Sequence, residues 1–265
     1  MTHRRKHLLY TKKGRCYWLK CYEIPEGNKS SKGRAIQNLL NIESDDCVNA
    51  FLRLKTLEDQ EFINSHYVVF ATKNGIIKKT LLEAYSRPRT NGVNAINIQD
   101  GDEVVGVRLT NGHNELVLAN KNGRAVRFNE NTVRAMGRVS TGVRGMKLDG
   151  GDDEVVGMVV VNDPENETIM VVSENGYGKR SMVEDYRVTN RGGKGVKTLG
   201  ITEKTGRLVA IKVVTDDNDL MIINKSGIVI RLAVSECRVM GRATQGVRLI
   251  NLTKKNDVIA SVCNG

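Results

Sequence analysis

The sequence is poor in proline, with 3 in 265 residues, and in aromatic residues, at 5%. The first shortage excludes collagen, mucin-like stalks and proline-rich linkers. The second argues against a single-strand nucleic-acid binder, which stacks bases on aromatic platforms. The cysteines, Cys16, Cys21, Cys47, Cys237 and Cys263, are odd in number and lack a CxxC spacing, so they read as free intracellular thiols. His3, His7, His66 and His113 form no HExxH or similar cluster, and no metal site is expected. The longest apolar run, around Val155 to Val161, is too short to cross a bilayer. The basic N-terminus has no apolar stretch fit for a signal peptide, so the expected location is the cytosol, away from membranes. Neither GxxxxGK[ST] nor a GxGxxG opening a helix is present, which counts against nucleotide binding. No carboxylate, histidine or Ser-His-Asp set converges, so the chain is not expected to be an enzyme by itself and should need no cofactor. No amphipathic helical pattern of twelve or more residues is apparent. Residues 52–65 (LRLKTLEDQEFINS) come nearest and are read as an insertion.

What the sequence has is glycine, 26 of them, at repeating places. A first glycine closes a polar turn at Gly14, Gly75, Gly123, Gly176 and Gly227. Apolar runs precede these turns (LLY, VVF, LVLA, IMVV, LMII) and short basic segments follow them (RCYWLK, IIKK, RAVRF, YGKR, IVIR). Three of the turns are Asn-Gly between apolar stretches, a strong hairpin signal. A second glycine follows 17 or 19 residues later, at Gly33, Gly92, Gly142, Gly195 and Gly246, and then a valine-rich strand after an acidic turn. The first glycines lie 61, 48, 53 and 51 residues apart. A period near 50 with four short strands per unit predicts an all-β, propeller-like fold. Five blades are expected in a single domain over 1–265, at about 1–50, 51–103, 104–155, 156–208 and 209–265, the first incomplete.

The charge is segregated in step with this repeat. The windows 15–35, 76–94, 124–144, 177–197 and 228–248 hold 24 basic and 7 acidic residues, a net +17. The rest of the chain carries −6 of the overall +11. A repeat architecture puts equivalent positions at equivalent places. If the units close into a ring, the second-glycine loops form a ring of basic loops, the footprint of a protein that follows a phosphate backbone. With no RNP-like motif or helix-turn-helix, the partner expected is duplex DNA gripped without base reading. The candidate contacts are Arg87, Arg89, Arg138, Arg144, Lys179, Arg180, Arg191, Lys194, Arg242 and Arg248. One loop, Thr189-Asn190-Arg191-Gly192-Gly193-Lys194-Gly195, has three glycines whose backbone could approach a phosphate closely and aim N–H groups at it. RPRTNG (87–92), GRVSTG (137–142) and GRATQG (241–246) are its counterparts.

These segments, with VRFNENTVRAMGRVSTGVRGMKL, NGYGKRSMVEDYRVTNRGGKGVKTL and GRCYWLKCYEIPEG, resemble the C-terminal domain of DNA gyrase A from about Leu8 to the end. The resemblance implies a β-pinwheel whose blades exchange strands, and duplex DNA wrapped on its basic rim. The wrap would support ATP-dependent negative supercoiling by a holoenzyme that includes the topoisomerase core of DNA gyrase A and the DNA gyrase B protein. ATP and Mg would sit on other domains, and the isolated domain would be monomeric, in the bacterial cytosol. The best alignment is to the family's second to sixth blades. The seven-residue box of the first blade has no full counterpart, since Arg191 to Gly195 match its last five positions but Thr189 and Asn190 do not match the first two. The related C-terminal domain of topoisomerase IV, which serves relaxation and decatenation, is the nearest alternative. A protein-binding propeller is a second.

Overall fold

A computed structural model describes residues 6–28, 30–252 and 257–264; His3, and Lys29 of the first basic window, lie outside them. The described residues form nineteen strands, one short α-helix and six 3-10 turns. Repeat 1 supplies β1 (Lys6–Thr11), β2 (Arg15–Lys20) and β3 (Val48–Leu54), and repeat 2 supplies β4 (Tyr67–Thr72), β5 (Ile76–Leu81), β6 (Val93–Asn94) and β7 (Val104–Thr110). Repeat 3 supplies β8 (Glu115–Asn120), β9 (Arg124–Asn129), β10 (Val143–Arg144) and β11 (Val155–Val161). Repeat 4 supplies β12 (Thr168–Ser173), β13 (Tyr177–Met182), β14 (Val196–Lys197) and β15 (Leu208–Val214). Repeat 5 supplies β16 (Asp219–Asn224), β17 (Val229–Ala233), β18 (Val247–Arg248) and β19 (Ile259–Asn264). Each repeat is thus a hairpin and a long return strand, with a two-residue strand between them in all but the first.

The two-residue strand leaves its own repeat. The sheets read β3-β1-β2-β6, β7-β4-β5-β10, β11-β8-β9-β14, β15-β12-β13-β18 and β19-β16-β17. In the four-stranded sheets the fourth strand comes from the following repeat, which is the strand exchange of a β-pinwheel blade. The shortfall therefore lies in the last sheet, which has three strands among the described residues, and not in the first. In repeat 1, where the second glycine is Gly33, residues 32–35 form no strand.

The hairpins form where the Asn-Gly turns predict them, by a different geometry. The Gly75 N–H donates to Thr72 O at 3.0 Å, and the glycine has φ +87°. The left-handed residue therefore closes a four-residue turn, as in a hairpin with a G1-type bulge. A buried polar side chain completes each turn. Thr11, Thr72, Asn120, Ser173 and Asn224 accept from the N–H of the residue after the glycine, at 2.7–3.2 Å. These side chains satisfy a backbone donor where the pairing with the return strand shifts register.

By contacts the chain divides into two compact units, Met1–Gly112 with Val133–Val143, and His113–Thr132 with Arg144–Gly265. The first buries Leu8, Tyr10, Phe70, Leu82 and Tyr85 in one core, with Tyr10 edge-on to Phe70 at 5.1 Å between ring centres. The second buries Val117, Ile169, Val171 and Leu208 in one cluster and Met170, Leu220, Ile222 and Val262 in another. The insertion is part strand: 52–54 end β3, and only α1 (Gln60–Ser65) is helical, opened by Asp59 accepting from the Phe62 N–H at 3.1 Å.

Candidate nucleic-acid interface

In repeats 2 to 5 the basic window runs from the second hairpin strand through a 3-10 turn and a glycine loop into the donated strand. The second glycines hold that strand close to the neighbouring hairpin. A Cβ on Gly246 would lie 2.5 Å from Gly178 O, and one on Gly195 would overlap Ala125 O. Both also have positive φ, +75° and +74°. Only glycine meets both demands.

This geometry changes the expected part of the glycine-rich loop. The Gly192 N–H is spent on Gly145 O at 2.7 Å, and Gly193 O accepts from the Lys147 N–H at 2.9 Å. Gly192 and Gly195 therefore lie where one stretch of chain meets another, and the Gly192 N–H is not free to turn toward a phosphate. Gly193 is exposed and open around its Cα. The loop still borders an open cleft of about 540 Å³, edged by Arg187, Arg191 and Lys194 and floored by Ala125–Arg127.

Arg138, Arg191 and Arg242 occupy one position in three successive loops and do one job. A terminal guanidinium N–H of each donates to the carbonyl of the donated strand one repeat earlier: Asn94 O at 3.2 Å, Arg144 O at 3.1 Å, and Lys197 O. The Nε–H of Arg191 donates to Thr132 O at 2.9 Å and that of Arg242 to Asp185 O at 3.0 Å. All three are half-buried. They tie loop to strand, with part of the five-donor fork already spent.

Lys179 and Arg180 are corrections. Lys179 has 0% exposure, and its Nζ donates to Gly241 O at 2.7 Å, to Arg242 O and to Ser181 Oγ at 3.3 Å. Burial, helped by the nearby Arg242 charge, lowers its pKa to about 8. Arg180 is buried, with Nε donating to Cys237 O at 2.7 Å and a terminal nitrogen 2.5 Å from Asp216. Their β13 positions face the next repeat and not solvent. The equivalent Trp18 donates to Tyr85 O at 2.8 Å, and Arg127 to Tyr186 O at 2.9 Å while pairing with Glu115. In repeats 1, 3 and 4 the strand position of Arg180 is thus a tether whatever its charge, whereas Arg231 in repeat 5 is exposed and pairs with Asp219 of its own hairpin.

The other candidates are exposed. The Arg87 side chain is 89% exposed, with a 3.8 Å contact to Glu83; Arg89 is exposed on its loop and Arg144 on the donated strand β10. Lys194 is 56% exposed and 3.7 Å from Asp149. The exposed Arg248 lies over the Tyr177 ring at 5.3 Å and donates to its hydroxyl at 2.9 Å. Sequence reasoning missed Arg134, Arg187 and Arg238, exposed residues at one position in repeats 3, 4 and 5. The signal was present: each begins an Arg-x-x-x-Arg pair, RAMGR, RVTNR and RVMGR, whose second arginine is the tether. Lys197, exposed at the same place as Arg144 and Arg248, was also missed. The structure therefore separates each window's charge into buried or half-buried tethers and outward cations.

Among the described residues no group of three or more His, Cys, Asp or Glu is placed to hold a metal ion. No helix among them is long and apolar enough to cross a membrane.

The model of the DNA gyrase C-terminal domain, beta-propeller family matches residues 8–52, 66–111, 114–162, 167–215 and 218–263. The DNA gyrase A protein of Staphylococcus aureus (strain MRSA252) is 44% identical over 245 residues, covering 92% of this chain and 27% of the relative. The chain thus spans about a quarter of the length of the curated relatives it matches. A solved C-terminal domain of DNA topoisomerase IV superposes with a TM-score of 0.86 at 27% identity, covering 100% of this chain and 80% of that one. A solved DNA gyrase A C-terminal domain gives 0.84 at 25% identity, covering 100% and 83%.

Proposed function

This chain belongs to the DNA gyrase C-terminal domain family, and from that membership we propose that its outward loop cations grip duplex DNA by the phosphates and bend it along successive repeats. The observation that carries this reading is positional. Arg134, Arg187 and Arg238 occupy one exposed site in three repeats, and Arg144, Lys197 and Arg248 another. Like charge at the same position of successive repeats suits a partner with a regular anionic backbone, and contacts of this kind fix register without reading sequence. The cleft beside Arg187, Arg191 and Lys194 is a concave station on that path.

Smooth bending of 20–30 base pairs through 40–90° costs about 1–6 kcal/mol, so several repeats must contribute contacts. With about six phosphates neutralised, log K falls with log salt at a slope of about −5. Titration of a fluorescent duplex across salt concentrations tests the reading, and a slope near zero removes it. In a gyrase holoenzyme, with the rest of DNA gyrase A and with the DNA gyrase B protein in the bacterial cytosol, the bent duplex would feed ATP-dependent negative supercoiling; the chain itself would cut nothing and hydrolyse nothing. The comparable superposition on the topoisomerase IV domain favours a second reading, in which the bent DNA serves relaxation and decatenation. A plasmid supercoiling assay on the holoenzyme carrying this chain separates them. Gain of negative supercoils supports the first, and relaxation alone the second.

A further inference from the structure

Two lysines with 0% exposure, Lys78 on β5 and Lys179 on β13, play no part in the interface as described. Each sends its ammonium to the backbone of the glycine loop in the next repeat. Lys78 Nζ donates to Arg138 O at 2.6 Å and to Ala95 O, and lies 5.3 Å from the centre of the Phe70 ring. Lys179 Nζ donates to Gly241 O at 2.7 Å and to Arg242 O. Neither ammonium forms an ion pair among the described residues. A buried cation without a counter-ion is costly unless its hydrogen bonds serve a purpose.

The fold does not demand that cost. The same strand position holds Tyr17 in repeat 1, Val126 in repeat 3 and Ile230 in repeat 5. The lysine goes instead with the loop it faces. Lys78 faces GRVSTG and Lys179 faces GRATQG, each with an internal Ser140 or Thr244 hydroxyl donating back to its first glycine, at 2.6 and 2.8 Å. The loop facing Val126 reads NRGGKG and is held by backbone bonds through Gly192 and Gly193. In the two braced loops the arginine is therefore fixed at both ends. Its carbonyl is taken by the lysine and its guanidinium by the preceding donated strand, at Asn94 O or Lys197 O.

We propose that Lys78 and Lys179 are positioning residues, internal cationic braces that hold the Gly-Arg loops of repeats 3 and 5 in one conformation, so that the outward cations beside them meet a duplex already ordered. The proposal rests on the DNA-binding reading above, since it assigns the loops' order to affinity. A preordered loop loses less freedom on binding, and the benefit falls on dissociation.

The test uses the whole 265-residue chain with Lys78→Met and Lys179→Met, which keep the aliphatic stem and remove the ammonium. Duplex dissociation should quicken about three- to tenfold in each, with a melting temperature equal to or above wild type. Backbone amide exchange should speed at least tenfold over 138–142 in the first variant and over 241–246 in the second, with 190–195 unchanged in both. Unaltered exchange in the facing loop, an unaltered dissociation rate, or equal loss of protection in all loops would overturn the braces. If a variant does not fold, the wild type decides: slowly exchanging Nζ protons of both lysines, with through-bond correlations to the Arg138 and Arg242 carbonyls, are expected, and their absence refutes the proposal. A wild-type chain with no duplex affinity sinks the DNA reading, while loop exchange still reports on the braces.

Discussion

An arginine on this protein does one of two things, and the position within the repeat decides which. Arg187 is outward, and changing it to alanine should lower the magnitude of the duplex salt slope by about 1 while leaving stability within about 0.5 kcal/mol. Arg180, seven residues earlier, donates to a buried carbonyl. Arg180→Ala strands that acceptor and should cost about 1–3 kcal/mol in urea unfolding. The reverse pattern, affinity lost at 180 and stability at 187, would contradict the assignment. The buried lysines carry a pH signature as well. Burial, with the nearby Arg138 charge, lowers the Lys78 pKa to about 7, as burial lowers Lys179 to about 8, against about 10.4 for an unfolded lysine. Above those values the unfolded chain binds more protons, so stability rises with pH. Burial pushes the Cys16 thiol up, so its contribution is intact below about pH 8.5 and declines as the unfolded thiol ionises. The urea midpoint should therefore climb from about pH 7, and above about pH 8.5 keep rising at a reduced slope until the unfolded lysines titrate near about 10.4. The Lys78→Met, Lys179→Met double variant should be flat to about pH 8.5 and then decline as the unfolded Cys16 thiol ionises.

At the scale of the element, the donated strand is the joint of the fold, and its glycine is the least replaceable residue in it. Gly195→Ala combines positive φ with a Cβ overlapping the Ala125 carbonyl. Strain of the first kind alone costs about 1–3 kcal/mol, and the overlap adds to it, so a loss of about 3 kcal/mol or more is expected in chemical denaturation. Gly193→Ala has room, with its nearest neighbour 3.9 Å away, and should change stability by less than about 0.5 kcal/mol. Equal effects at the two positions would show that flexibility, and not close approach, accounts for both. The turn side chains are a second elemental device. Buried Asn120 accepts from the Arg124 N–H at 2.8 Å and donates to Asp153 at 2.9 Å, so Asn120→Ala should cost about 1–3 kcal/mol.

For the molecule as a whole, the quantity that matters is the split of its charge, +17 in the five windows and −6 elsewhere. Part of the +17 is committed to tethers such as Arg127, Arg180, Lys78 and Lys179. The cations available to a partner are therefore fewer than composition suggests. Alanine at Arg134, Arg187 and Arg238 together should lower the slope's magnitude by about 3, and distant sites of this kind add. A triple variant with an unchanged slope would place the DNA elsewhere on the surface.

By itself the sequence determined the repeat, the hairpins and the windows where charge collects, because these are local properties. A strand needs an alternating or apolar run, a hairpin needs its glycine, and a basic loop is basic wherever it lies. Arg134, Arg187 and Arg238 were within reach of the same reading, since their spacing to the next arginine repeats three times. Tertiary structure alone decided the inward or outward fate of each cation and the repeat to which each short strand belongs. Lys179 and Lys194 are equally basic on paper; one meets carbonyls from a loop about sixty residues later in the chain, and the other meets solvent. Pairings of that length are set by how successive repeats pack, and no short stretch of sequence contains them.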